Sequence, residues 1–221
     1  MLTHGEWPGI YSGRVESDRS KAKIRAELRQ ARRRLSGSVL RTRAEQLSRL
    51  LLEEIPAAQR VLAYLPMPGE PDVQEFLTSH HARGGEVFVP VITGERQMLW
   101  VPWSPQAPTR RSDFAPIQEP EGDRLHLQEL LKETPEFTVL VPAVAVDHAG
   151  GRLGQGGGYY DSLLGPEGAA ASLLSAQSRA RVMAVVHPEE LLEPGSFEVL
   201  PHDLRVPEIA TPQRLLRAAI Y

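Results

Sequence analysis

Residues 139–164 read Val139-Leu-Val-Pro-Ala-Val-Ala-Val-Asp147-His-Ala-Gly-Gly-Arg152-Leu-Gly154-Gln-Gly156-Gly-Gly158-Tyr-Tyr160-Asp161-Ser-Leu-Leu164. The opening run is apolar without alternation, as in a strand covered on both faces. A glycine-dense loop follows, and the segment closes on a helix start. Strand, glycine loop and helix in that order belong to an α/β fold with a parallel sheet, whose ligands bind where loops leave the carboxyl ends of the strands. Glycines let backbone N–H groups turn toward an anion. Arg152 adds a candidate bidentate contact to a phosphate, and Asp161 a carboxylate for a magnesium ion bridging phosphates. The dinucleotide fingerprint does not fit, because the third glycine counted from Gly154 falls on Tyr159. No Gly-Lys-Ser/Thr tripeptide completes a P-loop either.

Outward from this segment, helix and strand signals alternate. Residues 19–34 repeat apolar side chains at helical spacing (Ile24, Leu28, Ala31, Leu35), and a second helix over 39–54 buries Leu40, Leu47, Leu50 and Leu51 before Pro56. Strand-length apolar runs occupy 60–65, 86–92, 98–103, 138–146 and 181–187. A helix over 72–83 is predicted with Asp72 as N-cap and Gly84 at its end. Residues 104–122, rich in proline, read as a surface excursion. The expected architecture is a largely parallel central sheet flanked by helices on both faces, with an N-terminal helical pair. It forms one domain over residues 19–221, preceded by a poorly ordered extension over 1–18.

Composition narrows the function. The chain has 221 residues, 41% hydrophobic and 24% charged, so it buries a core without staples. It has no cysteine, which removes disulfides, thiolate nucleophiles and cysteine-bearing zinc sites. A net charge of −3 argues against a general nucleic-acid binder. No apolar stretch approaches the ~20 residues of a membrane helix, and no secretory leader is visible, so the cytoplasm is the expected location. The 19 prolines are in excess and without period, which excludes collagen. His80 and His81 are expected at the surface of a helix end. Arg32, Arg33 and Arg34 are read as a solvated helix face.

The string Arg-Leu-Gly-x-Gly-x-Gly-Tyr-Tyr-Asp at 152–161 resembles the motif of the 5-formyltetrahydrofolate cyclo-ligases, also called methenyltetrahydrofolate synthetases. Weaker matches stand in family order: Lys21-Ala-Lys-Ile24-Arg25 with Leu35-Ser36, Tyr64-Leu65-Pro66-Met-Pro-Gly-Glu70, Gly85-Glu-Val-Phe-Val-Pro90, Glu119-Pro120, and Asp203 before Thr211. The resemblance implies ATP- and magnesium-dependent closure of 5-formyltetrahydrofolate to 5,10-methenyltetrahydrofolate by a monomer or weak homo-oligomer acting on a small molecule. It further implies roles. Lys21, Arg25 and Arg152 supply catalytic positive charge; these three with Gly154, Gln155, Gly156, Gly157, Gly158, Tyr159 and Tyr160 hold ATP. Leu65, Glu70 and Tyr159 contact the folate, and Asp161 and Asp203 ligate magnesium.

Three departures from the pattern matter. A lysine that some members carry in the loop is Gly157 here, the usual Phe-Asp is Val146-Asp147, and the glutamine after the penultimate strand is matched by Glu190. A carboxylate there repels phosphates unless it faces magnesium or solvent. Glu190 motivates a second reading, a catalytically silent relative that binds nucleotide or folate. A third is a sugar-phosphate or acyl-transfer enzyme on a related fold. His148 is a candidate base, and Trp100 and Trp103 either line the folate cleft or pack on the sheet.

Overall fold

The computed structural model describes residues 10–114, 117–132, 136–171 and 179–219. Helix α1 (Ile10–Arg32) starts well before the expected position. Of the expected extension, residues 1–9 lie outside the described residues, and 10–18 are part of α1. Helix α2 (Gly37–Glu54) begins on Gly37 itself, with Ser36 Oγ accepting from Val39 N at 3.3 Å as its cap. The break between the two helices is the turn at 33–36.

Twelve strands follow among the described residues: β1 (Arg60–Leu62), β2 (Val87–Gly94), β3 (Gln97–Pro102), β4 (Thr109–Arg111), β5 (Gln118–Pro120), β6 (Glu136–Pro142), β7 (Ala145–Asp147), β8 (Arg152–Leu153), β9 (Arg179–Val185), β10 (Leu191–Leu192), β11 (Glu208–Ala210) and β12 (Leu215–Arg217). Helices α3 (Gln74–Ala82), α4 (Leu127–Lys132) and α5 (Tyr159–Leu164) lie between them. The main sheet runs β12-β11-β9-β6-β1-β2-β3. Its inner pairings are parallel, and only the edges β3 and β12 are antiparallel.

Side chains alternate along each strand, so the sheet feeds two cores. Val61, Val89, Leu140 and Met183 pack with Leu47 and Leu51 of α2 and with Phe76 and Leu77 of α3. Leu62, Val139, Val141 and Val182 pack with Leu127 of α4 and Leu164 of α5. Helices thus cover both faces, as expected from the continuous apolar runs.

The deciding stretch is less simple than it reads. The run 138–146 is not one strand: β6 stops at Pro142, which has no N–H for the ladder, and β7 belongs to a second sheet ordered β10-β7-β8. Asp147 Oδ1 accepts from Ala149 N (3.0 Å) and Gly151 N (2.8 Å) and so closes the β7–β8 hairpin. The glycine loop leaves β8, and α5 beyond it is only six residues long.

Other local readings also change. Asp72 Oδ1 accepts from Gln74 N (2.8 Å), but the N-cap residue of α3 is Val73. His80 is fully buried, with Nε2 on the Gln59 carbonyl at 2.8 Å, so it is a core residue and not a surface one. Trp100 is likewise fully buried, which settles it as sheet packing. The proline-rich excursion contains the β4–β5 hairpin. Its buried Glu119 accepts from Ile92 N and Ser112 Oγ, both at 2.8 Å, and so ties the hairpin to β2.

His187, just past β9, is 1% exposed and sits 3.2 Å from the Gly69 carbonyl through Nε2. Burial pushes its imidazole down to about 4, despite the raising effect of that contact. The unfolded chain protonates this group near 6.5 while the folded one stays neutral, so unfolding takes up a proton between those values. Stability from this group is complete above pH 6.5 and falls as pH drops toward 4, by about 3 kcal/mol. His187→Gln is expected to flatten the fall in urea midpoint between pH 6.5 and 4. An unchanged slope would show that His187 is not the titrating group.

Candidate functional site

Helix α1 presents cations at 21, 25, 29 and 32, spaced so that they share one face. All four point at the protein. Lys21 Nζ lies 2.7 Å from Asp203 Oδ2, and Arg25 Nε donates to the Gly154 carbonyl at 2.8 Å. Arg29 Nη2 donates to Gln155 Oε1 (2.6 Å) and to its carbonyl (2.9 Å). Arg32 is buried and forked onto Glu190, with Nε 2.5 Å from Oε1 and Nη2 3.0 Å from Oε2, and it also reaches the Ala143 carbonyl at 2.7 Å.

The expected solvated arginine face therefore holds only for Arg33 and Arg34, which are exposed. Glu190 does not face solvent. It is 1% exposed, takes Arg32 and accepts from His187 N at 2.9 Å. Burial lowers the Arg32 guanidinium, but Glu190, with Glu70 and Tyr64, outweighs it and holds it above its usual value.

Two cavities meet at the glycine loop. The first, about 460 Å³, is polar and is lined by Lys21, Arg25, Arg96, Arg152, Asp161 and Asp203 together with Gly154, Gly156 and Gly158. The second, about 270 Å³, is mainly apolar. Leu65, Glu70, Gln155, Gly157, Tyr159 and Tyr160 line it. Arg152, Gly154, Gly158 and Asp161 belong to both, so they form a shared wall.

That wall is tightly built. Arg152 Nη2 donates to Asp161 Oδ1 at 2.9 Å and Nη1 to the Pro142 carbonyl at 3.0 Å. Its guanidinium lies 5.6 Å from the centre of the Tyr160 ring. A side chain at Gly154 would come within 2.8 Å of Arg152 Nη1, so glycine is needed for that approach. Burial raises the Asp161 carboxyl, but Arg152, the Leu204 N–H at 3.0 Å and Lys21 outweigh it and hold it below the usual carboxylate value. Arg152 Nε and the Tyr160 hydroxyl are buried with no partner among the described residues. Burial raises the Tyr160 hydroxyl far above its usual value, so it stays protonated.

The sequence-predicted residues therefore divide between the cavities. Lys21, Arg25, Asp203 and the loop glycines 154, 156 and 158 stand at the polar one. Gln155, Gly157, Tyr159 and Tyr160, expected around the nucleotide, stand at the apolar one. Gln155 bridges: its Nε2 donates to Glu70 Oε1 at 2.7 Å while Arg29 holds its Oε1. Glu70 Oε2 accepts from Met67 N at 3.0 Å. His148 lines neither cavity. Arg29, Arg32 and Arg96 were not singled out as site residues. The first two carried a signal, the helical spacing of cations from Lys21 onward; Arg96 carried none.

Among the described residues no group of three acidic or histidine side chains is poised to hold a metal. The pair Asp161 and Asp203 nevertheless fits a magnesium ion, which keeps waters and takes phosphate oxygens beside one or two carboxylates. Each commits one oxygen within the protein, Asp161 Oδ1 to Arg152 and Leu204, and Asp203 Oδ2 to Lys21 and Leu200 N. The other oxygen of each accepts no hydrogen bond among the described residues. No helix among them is long and apolar enough to cross a membrane.

Residues 17–212 match the model of the 5-formyltetrahydrofolate cyclo-ligase family. The 5-formyltetrahydrofolate cyclo-ligase of Mycolicibacterium smegmatis is 32% identical over 202 residues, spanning 90% of this chain and 96% of that one. That of Haemophilus influenzae is 30% identical over 149 residues, 65% and 77% of the two chains. The 5,10-methenyltetrahydrofolate synthetase of Aquifex aeolicus superposes with a TM-score of 0.69 at 25% identity, over 90% of this chain and 93% of its own. The Mycoplasma pneumoniae synthetase shares the fold, with a TM-score of 0.63 at 17% identity over 87% and 98%.

Removing one partner of a buried ion pair leaves the other charge uncompensated, at a cost of about 3–5 kcal/mol. Glu190→Ala is expected to lose stability on that scale in urea unfolding, whereas Glu190→Gln, which keeps an acceptor for Arg32, loses less. Equal midpoints for wild type and Glu190→Ala would remove the pair from the structural argument.

Proposed function

The chain belongs to the 5-formyltetrahydrofolate cyclo-ligase family, and from that premise we propose how its two adjoining cavities perform the ATP-dependent closure of 5-formyltetrahydrofolate to 5,10-methenyltetrahydrofolate. The polar cavity takes the triphosphate and the apolar one the pterin. The observation that carries this division is the wall they share at Arg152, Gly154, Gly158 and Asp161. Two ligands entering from opposite sides meet there, with the formyl oxygen directed at the γ-phosphorus.

The chemistry needs that meeting. A formamide carbonyl is a poor electrophile and its oxygen a poor leaving group. Attack of the formyl oxygen on the γ-phosphorus forms an O–P bond as the bond to ADP breaks, leaving an activated iminium phosphate. N10 then attacks the formyl carbon, its proton departs, and the C–O bond breaks to release phosphate. The protein's part is alignment and charge neutralisation.

Arg152, fixed by Asp161 and Pro142, holds positive charge at the wall without rearranging. Its unpartnered Nε and the Tyr160 hydroxyl are donors for an incoming oxygen. Lys21 and Arg25 bring charge from α1 to the phosphates. Glu70, steadied by Gln155, lies at the apolar cavity, where Leu65 and Tyr159 flank the pterin; a carboxylate there suits pterin N–H donors. A magnesium ion held by Asp161 and Asp203 would neutralise phosphate charge. The cytoplasm remains the location we assign.

The reading as a silent relative loses its motive. The Glu190 carboxylate is directed at Arg32, so it does not oppose bound phosphates.

Protein mixed with 5-formyltetrahydrofolate and MgATP is expected to give an ATP-dependent rise in the near-ultraviolet absorbance of the methenyl product. Arg152→Ala and Asp161→Asn are each expected to lose about 2–4 kcal/mol of transition-state stabilisation, read as a drop in kcat/KM. Unchanged turnover in either variant would take that residue out of the reaction, and no absorbance rise with wild type would overturn the function.

A further inference from the structure

Four cations line the polar cavity, Lys21, Arg25, Arg96 and Arg152, against three carboxylates, Asp161, Glu167 and Asp203. Lys21 is spent on Asp203 at 2.7 Å and Arg152 on Asp161 at 2.9 Å. Arg25 is drawn onto the Gly154 carbonyl. Arg96 differs from all three. It is exposed, and among the described residues it donates to no carboxylate and no carbonyl. Without it, the cavity lining carries as many negative as positive side chains. With it, the lining has one cation in excess, as a triphosphate calls for.

Its backbone is unusual as well. Arg96 stands in the turn between β2 and β3 with φ of +54°, and no other non-glycine residue among those described has a positive φ. Glycine or asparagine adopts that conformation at less cost. An arginine held there points to use of its side chain. That side chain runs along the end of the glycine loop: a Cβ built on Gly158 would lie 3.3 Å from Arg96 Nε and 3.7 Å from Cδ. Gly158 is part of the wall common to both cavities. The same hairpin carries Ile92 and Met98 into the lining of the apolar cavity. Arg96 therefore sits at the tip of an element that touches both ligand spaces.

We propose that Arg96 is a further catalytic residue, which donates from its guanidinium to the non-bridging oxygens of the phosphoryl group in transfer. The inference rests on the function proposed above. Charge in that transition state is spread over three equatorial oxygens, and a planar fork of donors matches them. Arg96 stays protonated throughout and forms hydrogen bonds only. Being unpaired, it reaches the phosphates without first breaking a bond to the protein, unlike Lys21. It also supplies, from a different element, the cation missing from the loop at Gly157.

The test compares wild type, Arg96→Gly and Arg96→Lys as full chains, by turnover, by affinity for MgATP and for AMP, and by thermal melting. Arg96→Gly is expected to lose about 10²–10³-fold in kcat and to bind MgATP at least about tenfold more weakly. Its AMP affinity should be unchanged and its Tm no lower than wild type, because glycine suits the turn. Arg96→Lys recovers part of the loss. Turnover and MgATP affinity like those of wild type in Arg96→Gly would overturn the proposal, and so would an equal loss of AMP affinity, which would mean a distorted loop. If wild type itself makes no methenyl product, the proposed function fails. A loss confined to the triphosphate would then still uphold the phosphate contact of Arg96, and no such loss would overturn it.

Discussion

A row of cations along one face of a helix does not dock on a protein unless each finds a counter-charge or a carbonyl, because an unpaired buried charge costs more than any packing there returns. In this molecule the row is Lys21, Arg25, Arg29 and Arg32 on α1. The groups that receive it are Asp203, the Gly154 carbonyl, Gln155 and Glu190. These lie in three segments: the glycine loop, the turn after β9 and the loop before β11. The first helix is thereby clamped across the mouth of the sheet, and the space under it becomes the polar cavity. Arg32 with Glu190 forms the dry end of the clamp, and Lys21 with Asp203 the end at the polar cavity.

The glycine loop is the hinge between this electrostatic layer and the apolar one. Its carbonyls and Gln155 are gripped by α1 from one side. Gln155 passes that grip through to Glu70 on the other side, at the apolar cavity. One residue of the loop thus joins the cation row of α1 to the lining of the apolar cavity. Gly154 permits the Arg152 guanidinium to come close, and Gly158, at φ of +71°, turns the chain into α5. With only six residues, that helix contributes little dipole, so the positive character of the site comes from side chains.

The parts that were legible in the sequence are those set by local pattern. The apolar runs gave the parallel sheet with helices on both faces, and the Arg152–Asp161 string marked the wall where the cavities join. Pairings between distant segments were not legible. Glu190 was read against phosphates because it stands where the family pattern has a glutamine, whereas its partner Arg32 lies 158 positions away. Val139 to Val146 read as one strand because all its residues are apolar; Pro142 divides it between two sheets. His80 read as a surface residue from its helix-end position, yet the Gln59 carbonyl gives it a partner inside. In each case the missing information was the identity of a partner, which periodicity does not encode.

The same counter-charges that let the empty site fold shape how ligands enter it on the proposed reading. Lys21 and Asp203 satisfy each other when no ligand is bound, so neither stands as an unpaired charge. An anionic phosphate alone would compete with Asp203 for Lys21 and leave the carboxylate unpaired. A divalent cation alone would do the reverse. Arriving together, the two replace both halves of the pair at once, and the local charge stays balanced throughout. Arg152 and Asp161 follow the same logic with one difference: Asp161 keeps its Leu204 N–H and Arg152 its Pro142 carbonyl. That pair therefore stays in place while the other exchanges. On that proposed reading, a site built this way would select the metal–triphosphate complex over either component, through charge pairing that the fold already requires.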